Sequence, residues 1–421
     1  MNLLGVTKHI YDHEIRDILE MWNKQLKEIS LILPQEYTEK DIISLMRKYY
    51  PHEWMSVIYK YNYYEIKDRY LKKRFGKKRY CMLKPEKLFI TVSQYKKIMN
   101  PNFRKQYFIN FNEARQKKNA EKLWNQRKSK IERIDNKINN AKLKTQQMTP
   151  KYIDVLIGLY ERKSTSQKDK MYIMAELKKY YNDKVINFFF KVNDTELNKQ
   201  LRWIAFYHLQ SFNYQPRARR QKYMQVHTKN KKRKQYLKNV YPNEKYDIPQ
   251  NPNELEYRIM NSKEQQIKRY DFFISHSSMD SRYVQELILF ENKKSKNVFC
   301  DWINDADYLK RKLVCNATLK VIEARLEQSD AIIFVDSPNS RNSIWCKYEL
   351  NYFSELNRPI YCIKVEDIES RNWDAFYKMK DKWYYDLDYK KEFFDKYSKL
   401  SIDKLITSTN IDELVDNLRG S

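Results

Sequence analysis

Along the first two thirds of the chain, apolar positions recur every three to four residues, the spacing that gives a helix one buried stripe. Tyr11–Leu33 carries Ile15, Ile18, Leu19, Trp22, Leu26 and Ile29 at that spacing. Thr38-Glu39-Lys40-Asp41 has a capping-box-like pattern that opens a second helix, and Pro51 suits the first turn of a third. Phe89-Ile90-Thr91-Val92 reads as a short strand or a buried turn. From about Asn112 to Gln147 the chain is strongly charged, with Leu123, Trp124, Ile131, Ile134 and Ile138 irregularly spaced, which predicts a projecting or hairpin helix. Beyond Thr149-Pro150, Met171–Tyr181, Asp183–Val192 and Thr195–Phe212 are short amphipathic helical segments.

After Arg269 the period changes. Tyr270–Ser275, Asn297–Trp302, Ala331–Ser337, Pro359–Val365 and Lys382–Leu387 are short apolar runs. Met279–Asn292, Leu313–Gln328, Ser343–Leu356 and Ile402–Leu418 have helical spacing. Strands alternating with helices predict a doubly wound α/β domain with a five-stranded parallel sheet. The chain is therefore expected to be multidomain and mainly α-helical before that domain. A basic helical region spans 1–148, a helical unit 149–215, a basic arm with a Pro-containing linker 216–268, and the α/β domain 269–421. Asp183–Leu209 resembles one HEAT-type helical repeat, though one copy does not establish a solenoid.

The charge is divided as sharply as the pattern. The chain carries +28 overall, yet residues 270–421 hold 23 basic and 26 acidic side chains, so all the excess lies in 1–269. An anionic partner for that half is the expectation. Arg217, Arg219, Arg220, Lys231, Lys232, Arg233 and Lys234, interleaved with Tyr223 and Tyr236, suit phosphate contacts and base stacking, worth about 1–3 kcal/mol per stacked base. A plain solvated arm is the alternative. No run approaches the roughly 18 apolar residues of a membrane helix, and Met1–His9 lacks the features of a secretory signal, so the expected location is cytoplasmic. Five cysteines without a CxxC pair and six scattered histidines predict reduced thiols and no bound metal.

Trp345 precedes Glu349 by four residues, just after the apolar run Ala331–Ser337. On a helix the two share one face, a turn apart, and are directed to the crevice at the carboxyl end of a parallel sheet. The alternative is an indole capping the core and an exposed acid paired with Lys347 or Arg341.

Three stretches carry a family likeness. Tyr270–Asp280 (YDFFISHSSMD) resembles the first strand and loop of TIR (Toll/interleukin-1 receptor) domains, Ser329–Pro338 (SDAIIFVDSP) their third strand, and Ser343–Leu350 (SIWCKYEL) the helix that bears the acid in TIR enzymes. The likeness covers 269–421 and implies a flavodoxin-like α/β fold. It further implies NAD+ as substrate rather than cofactor, no bound cofactor, and self-association through TIR domains. Glu349 would be the catalytic acid, stabilising the ribosyl oxocarbenium ion left when nicotinamide departs. Trp345 would face the cationic nicotinamide through a cation–π contact worth about 0.5–2 kcal/mol. Ser275, His276 and Ser277 on the first strand's exit loop would meet the pyrophosphate, and Phe299 and Trp302 would sandwich a ring. No GxGxxG or Walker A motif is present, and the loop Asp301–Leu309 lacks the Pro-Gly of receptor and adaptor TIRs. The implied function is an NAD+ glycohydrolase effector of bacterial anti-phage type, triggered through its basic half. The alternatives are a cyclase producing a signalling ADP-ribose derivative and a non-catalytic TIR scaffold that binds nucleic acid.

If the basic half contacts phosphates, its affinity for a nucleic acid falls steeply between 50 and 200 mM salt in a filter-binding titration. Salt-insensitive binding would point to a protein partner.

Overall fold

A computed structural model of the chain describes residues 6–310 and 313–397, so the expected helix Ile402–Leu418 lies outside the described residues. The chain divides into two compact units, 1–141 with 206–225, and 142–205 with 226–421. These divisions fall elsewhere than the composition shifts at 148, 215 and 268.

The first unit is helical. Val6–Ile29, Glu39–Tyr49 and Pro51–Phe75 bury Trp22, Leu26, Ile29, Ile42, Met46 and Trp54. Thr38 caps the second helix through a capping box with Asp41, and Pro51 opens the third, which ends at Gly76 with φ +76°, a left-handed value that glycine adopts without strain. Phe89–Val92 is a turn, not a strand, with Phe89 and Val92 buried and Ile90 and Thr91 exposed: Phe89 ends a short helix and packs edge-on to Trp22. Glu113–Leu143 is one 31-residue helix whose single buried residue is Leu123. It is held to the unit by Arg127, which donates to Glu53 at 2.6 Å and to the Tyr49 carbonyl at 2.9 Å.

In the second unit, strands β1 (Tyr270–Ser275), β2 (Val298–Phe299), β3 (Ser329–Asp336), β4 (Ile360–Lys364) and β5 (Tyr377–Lys378) form one sheet in the order β2-β1-β3-β4-β5. The first four are parallel, with Ser275 opposite Phe334 and Phe334 opposite Cys362. The expectation of a wholly parallel sheet fails at its edge. β5 is antiparallel, lies upstream of the predicted 382–387, and leaves that stretch as turns. There the aromatics serve packing instead: Tyr384 is buried, and Trp383 packs near Phe334. Period-two alternation puts Phe273, Phe299, Ile332 and Phe334 on one face of the sheet and Ile274, Val298, Ile333 and Val335 on the other.

Helices Ile153–Glu161, Gln167–Leu177 and Asp183–Thr195 belong to the same unit as the sheet, joined by a buried polar seam. Gln146 donates to the Val298 carbonyl at 2.9 Å and accepts from Asn292 at 2.8 Å. At its centre, fully buried Arg325 and Asp305 form an ion pair at 2.8 Å, and Arg325 also donates to Gln265 at 2.8 Å. Gln265 in turn donates to Glu176, which lies 2.6 Å from Lys268 and 2.9 Å from Lys179. Burial would raise the Glu176 carboxyl, but the Lys179 and Lys268 charges outweigh it and hold it near 2. Burial, then the Arg325 charge, lowers the Lys268 ammonium to about 7.

Breaking one partner of such a buried pair strands the other, at about 3–5 kcal/mol. Arg325→Leu is therefore expected to lower the unfolding free energy by that amount in urea titration. The double variant Arg325→Leu with Asp305→Leu recovers part of the loss. Strict additivity in this cycle would show that the pair is not coupled.

Candidate active site

β1 and β3 run parallel, and their carboxyl ends mark the point where the strand order reverses, the place at which open α/β sheets hold ligands. Their exit loops are tied together. Ser337 caps the turn Pro338–Arg341 and donates to Asp280 at 2.5 Å, and Asn339 donates to the other Asp280 oxygen at 3.1 Å. Ser343 then caps the helix Ile344–Glu355 by accepting from the Cys346 N–H. That helix buries Cys346, Leu350 and Phe353 against the sheet, so Glu349, one residue before Leu350, reaches the end of β1.

There the buried Ser275 hydroxyl donates to Glu349 Oε2 at 2.6 Å. Glu349 is partly buried and pairs with no basic side chain among the described residues. The alternative of an exposed acid paired with Arg341 or Lys347 does not hold for Arg341, which binds Asp336 through two hydrogen bonds of 2.5 and 2.7 Å. Burial, with the nearby Asp301 charge adding to it and the Ser275 hydrogen bond opposing it, pushes the Glu349 carboxyl up to about 8. A carboxyl that is half protonated near pH 8 and lacks a cation is suited to meet a positively charged ligand.

His276 stands beside this pair. Its Nδ1 lies 3.1 Å from the Ile274 carbonyl, and its Nε2 lies 3.9 Å from Asp301 Oδ1. Ser277 stays on the exit loop, where its hydroxyl accepts from the Met279 N–H. His276, Cys300 and Asp301 place three potential metal-ligand atoms within 4.8 Å of one another. The Cys300 thiol is pushed well above its usual range by burial and then by Asp301, which makes it a neutral neighbour rather than a nucleophile.

Trp345 shares the helix with Glu349, but its partly buried indole packs edge-on to Phe393 at 4.7 Å, within a cluster of Leu319, Tyr348 and Tyr389. The proposed sandwich of Phe299 and Trp302 is overturned. Phe299 is fully buried and stacks on Phe273 at 5.0 Å, while Trp302 packs with the cluster on the opposite face of the sheet. Phe299, at the end of β2, turns into the core on one face, whereas Trp302 lies beyond the strand in the short helix Asp301–Asn304 and falls on the other. Asp301 was missed from the sequence. Its signal was available, since it lies two residues beyond the second strand, at the carboxyl edge where ligands bind.

The seven basic candidates fall on both units. Arg217, Arg219 and Arg220 lie in the first, where Arg217 pairs with Asp17 at 2.9 Å and Arg219 donates to Tyr63. Lys231, Lys232, Arg233 and Lys234 are exposed on the helix Lys231–Asn239 in the second. Among the described residues no helix is long and apolar enough to cross a membrane.

Comparison with known proteins agrees with this geometry. The TIR domain family model matches residues 272–401. A protein of Cytobacillus dafuensis named putative cyclic ADP-D-ribose synthase TIR2 is 33% identical over 363 residues, covering 86% of this chain and 93% of that protein. A Bacillus cereus protein named probable 3′ cyclic ADP-D-ribose synthase ThsB′ is 32% identical over 98 residues, 23% of this chain and 50% of its own. Mouse Toll-like receptor 2 is 31% identical over 107 residues, 24% of this chain and 13% of the receptor. No solved structure matches. The sheet order, the acid-bearing helix and a relative matched along most of both chains place this protein in the TIR-domain family, with its TIR domain at the C-terminal end.

Proposed function

We propose that the TIR domain cleaves NAD+ at the nicotinamide–ribose bond and that Glu349 is the residue on which the chemistry turns. One observation carries the reading: a partly buried carboxyl at the carboxyl end of the sheet, bonded to Ser275 and paired with no cation among the described residues. Nicotinamide in NAD+ is a cationic pyridinium. When the bond from ribose C1′ to the ring nitrogen breaks, the electron pair leaves with the ring, and the positive charge passes to the ribose as an oxocarbenium ion. A carboxylate beside that carbon stabilises the charge as it develops. The substrate's own charge favours the ionised form of Glu349, offsetting the burial and the Asp301 charge that hold the free acid's pKa up. Ser275 fixes the acid's orientation, and the Trp345 indole lies one helical turn before it.

Water adding to C1′ and releasing a proton gives ADP-ribose, the glycohydrolase outcome. Attack on C1′ by a nucleophile of the same ADP-ribose moiety closes a ring instead. The names of the Cytobacillus and Bacillus relatives favour this second reading. In either form the activity fits a bacterial anti-phage effector whose TIR domains assemble when the basic half meets its trigger.

Incubation of the purified protein with NAD+, with and without nucleic acid, followed by chromatography, separates ADP-ribose from cyclic products. Glu349→Ala is expected to slow NAD+ loss by roughly 10²–10³-fold, and undiminished loss in that variant would overturn the reading. With Glu349 needed as a carboxylate, kcat/KM rises with pH through about 8. Asp301→Asn removes a charge that raises this value and moves the limb to lower pH. A limb that stays in place would separate Asp301 from the acid.

Stability follows the opposite sign. The native state holds the Glu349 proton more tightly than the unfolded chain, so between the ordinary glutamate value of 4.5 and about 8 the protein loses stability as pH rises. Glu349→Gln has no proton to lose. Its Tm relative to the parent is expected to increase from pH 5 to pH 8.5 in differential scanning calorimetry, and a pH-independent gap would remove the burial argument.

A further inference from the structure

The helical part of the second unit contains a cleft of about 500 Å³, within the roughly 300–1,000 Å³ typical of small-molecule sites. Its rim is the loop Arg162–Ser166 between the helices Ile153–Glu161 and Gln167–Leu177, facing the helix Lys231–Asn239. Two of its cations are neutralised locally: Lys170 by Glu196 at 2.9 Å and Lys191 by Glu161 at 2.6 Å. Three more, Arg162, Lys163 and Arg233, pair with no carboxylate among the described residues. Arg233 donates to the Lys163 carbonyl at 2.7 Å, which pins its guanidinium to the same loop. The Gln167–Leu177 helix starts in that loop and adds the positive end of its dipole.

The lining also includes aromatic rings, beside the aliphatic Val192, Leu197 and Leu237. Tyr160 and Phe188 pack edge to face at 4.9 Å, and the Tyr160 hydroxyl is held by Glu196 at 2.8 Å. Tyr236 is the ring left open, 39% exposed, with its hydroxyl fixed by Glu244 at 2.9 Å so that its face is presented in one orientation. Unneutralised cations around a loop of hydroxyls, beside an oriented tyrosine face, match a ligand that has a phosphate end and a flat ring.

We propose that this cleft binds a nucleotide, its phosphates on Arg162, Lys163 and Arg233 and its base against Tyr236. The site is separate from Ser275 and Glu349 and does not depend on the NAD+ chemistry. It also gives Arg233 a use distinct from that of Lys231, Lys232 and Lys234, which do not line the cleft.

Isothermal titration of the full chain with ADP, adenosine and inorganic phosphate tests this. ADP is expected to bind at least tenfold more tightly than either of the others and to weaken with added salt. Lys163→Glu and Arg233→Glu should each lower ADP affinity at least tenfold. Tyr236→Leu should weaken ADP and leave phosphate unchanged, and Glu349→Ala should leave ADP binding intact. Thermal melts establish that each variant is folded; Lys163 is exposed, so its variant still reads the site if Arg233→Glu does not fold. No ADP binding, equal affinity for adenosine and ADP, or ADP binding lost in Glu349→Ala but kept in the two charge reversals would overturn the proposal. So would a short oligonucleotide that displaces ADP at a concentration below the ADP Kd, which would assign the cleft to nucleic-acid chains.

Discussion

A carboxyl group drawn out of water beside a serine, with no cation paired to it among the described residues, is the constraint that shapes this site. Were an arginine placed against Glu349, the acid would be ionised at all working pH values, and its attraction for any other cation would be spent on the arginine. Leaving it unpaired costs stability, because a partly buried acid prefers its neutral form. It keeps the negative charge available for a ligand that carries the missing positive one. Arg341, a strong basic group earlier on the same stretch, is committed to Asp336 and lies over Trp383 at 5.2 Å.

A site of this kind needs rigid surroundings, and they come from outside the sheet as well as from within it. The loop after β2 carries Asp301, whose charge acts on Glu349, and four residues later reaches Asp305, locked by Arg325 in the buried interior. Glu176 and Lys179, from the helical segment before the TIR domain, complete that charge cluster through Gln265 and Lys268. The segment is thus built into the same compact unit by buried ions that neutralise one another. The same helix, Gln167–Leu177, has its first turn at the nucleotide-sized cleft and Glu176 near its other end.

How much of this was legible in the chain differs from element to element. The helices of the first unit follow from local signals, such as the Thr38–Asp41 box and the Trp22–Leu26–Ile29 stripe. The first four strands follow from apolar runs too short for helices. The edge was misread because Lys382–Leu387, rich in aromatics, has the composition of a strand; that composition equally suits a turn whose rings cover the sheet. Edge pairing of two residues, as at Tyr377–Lys378, leaves almost no periodic signature.

By itself the sequence determined the alternation of strands and helices, the charge division of the chain, and the placing of Trp345 and Glu349 one turn apart, because these depend on local spacing and residue type. Tertiary structure decided which side chains meet. It brought Ser275 to Glu349 across 74 positions and sent Phe299 into the core. It packed Trp345 against Phe393 and joined Glu176 to the Arg325 cluster. Those outcomes depend on strand order and on the neutralisation of buried charge, which couple residues far apart in the chain and leave no trace in any short window of it.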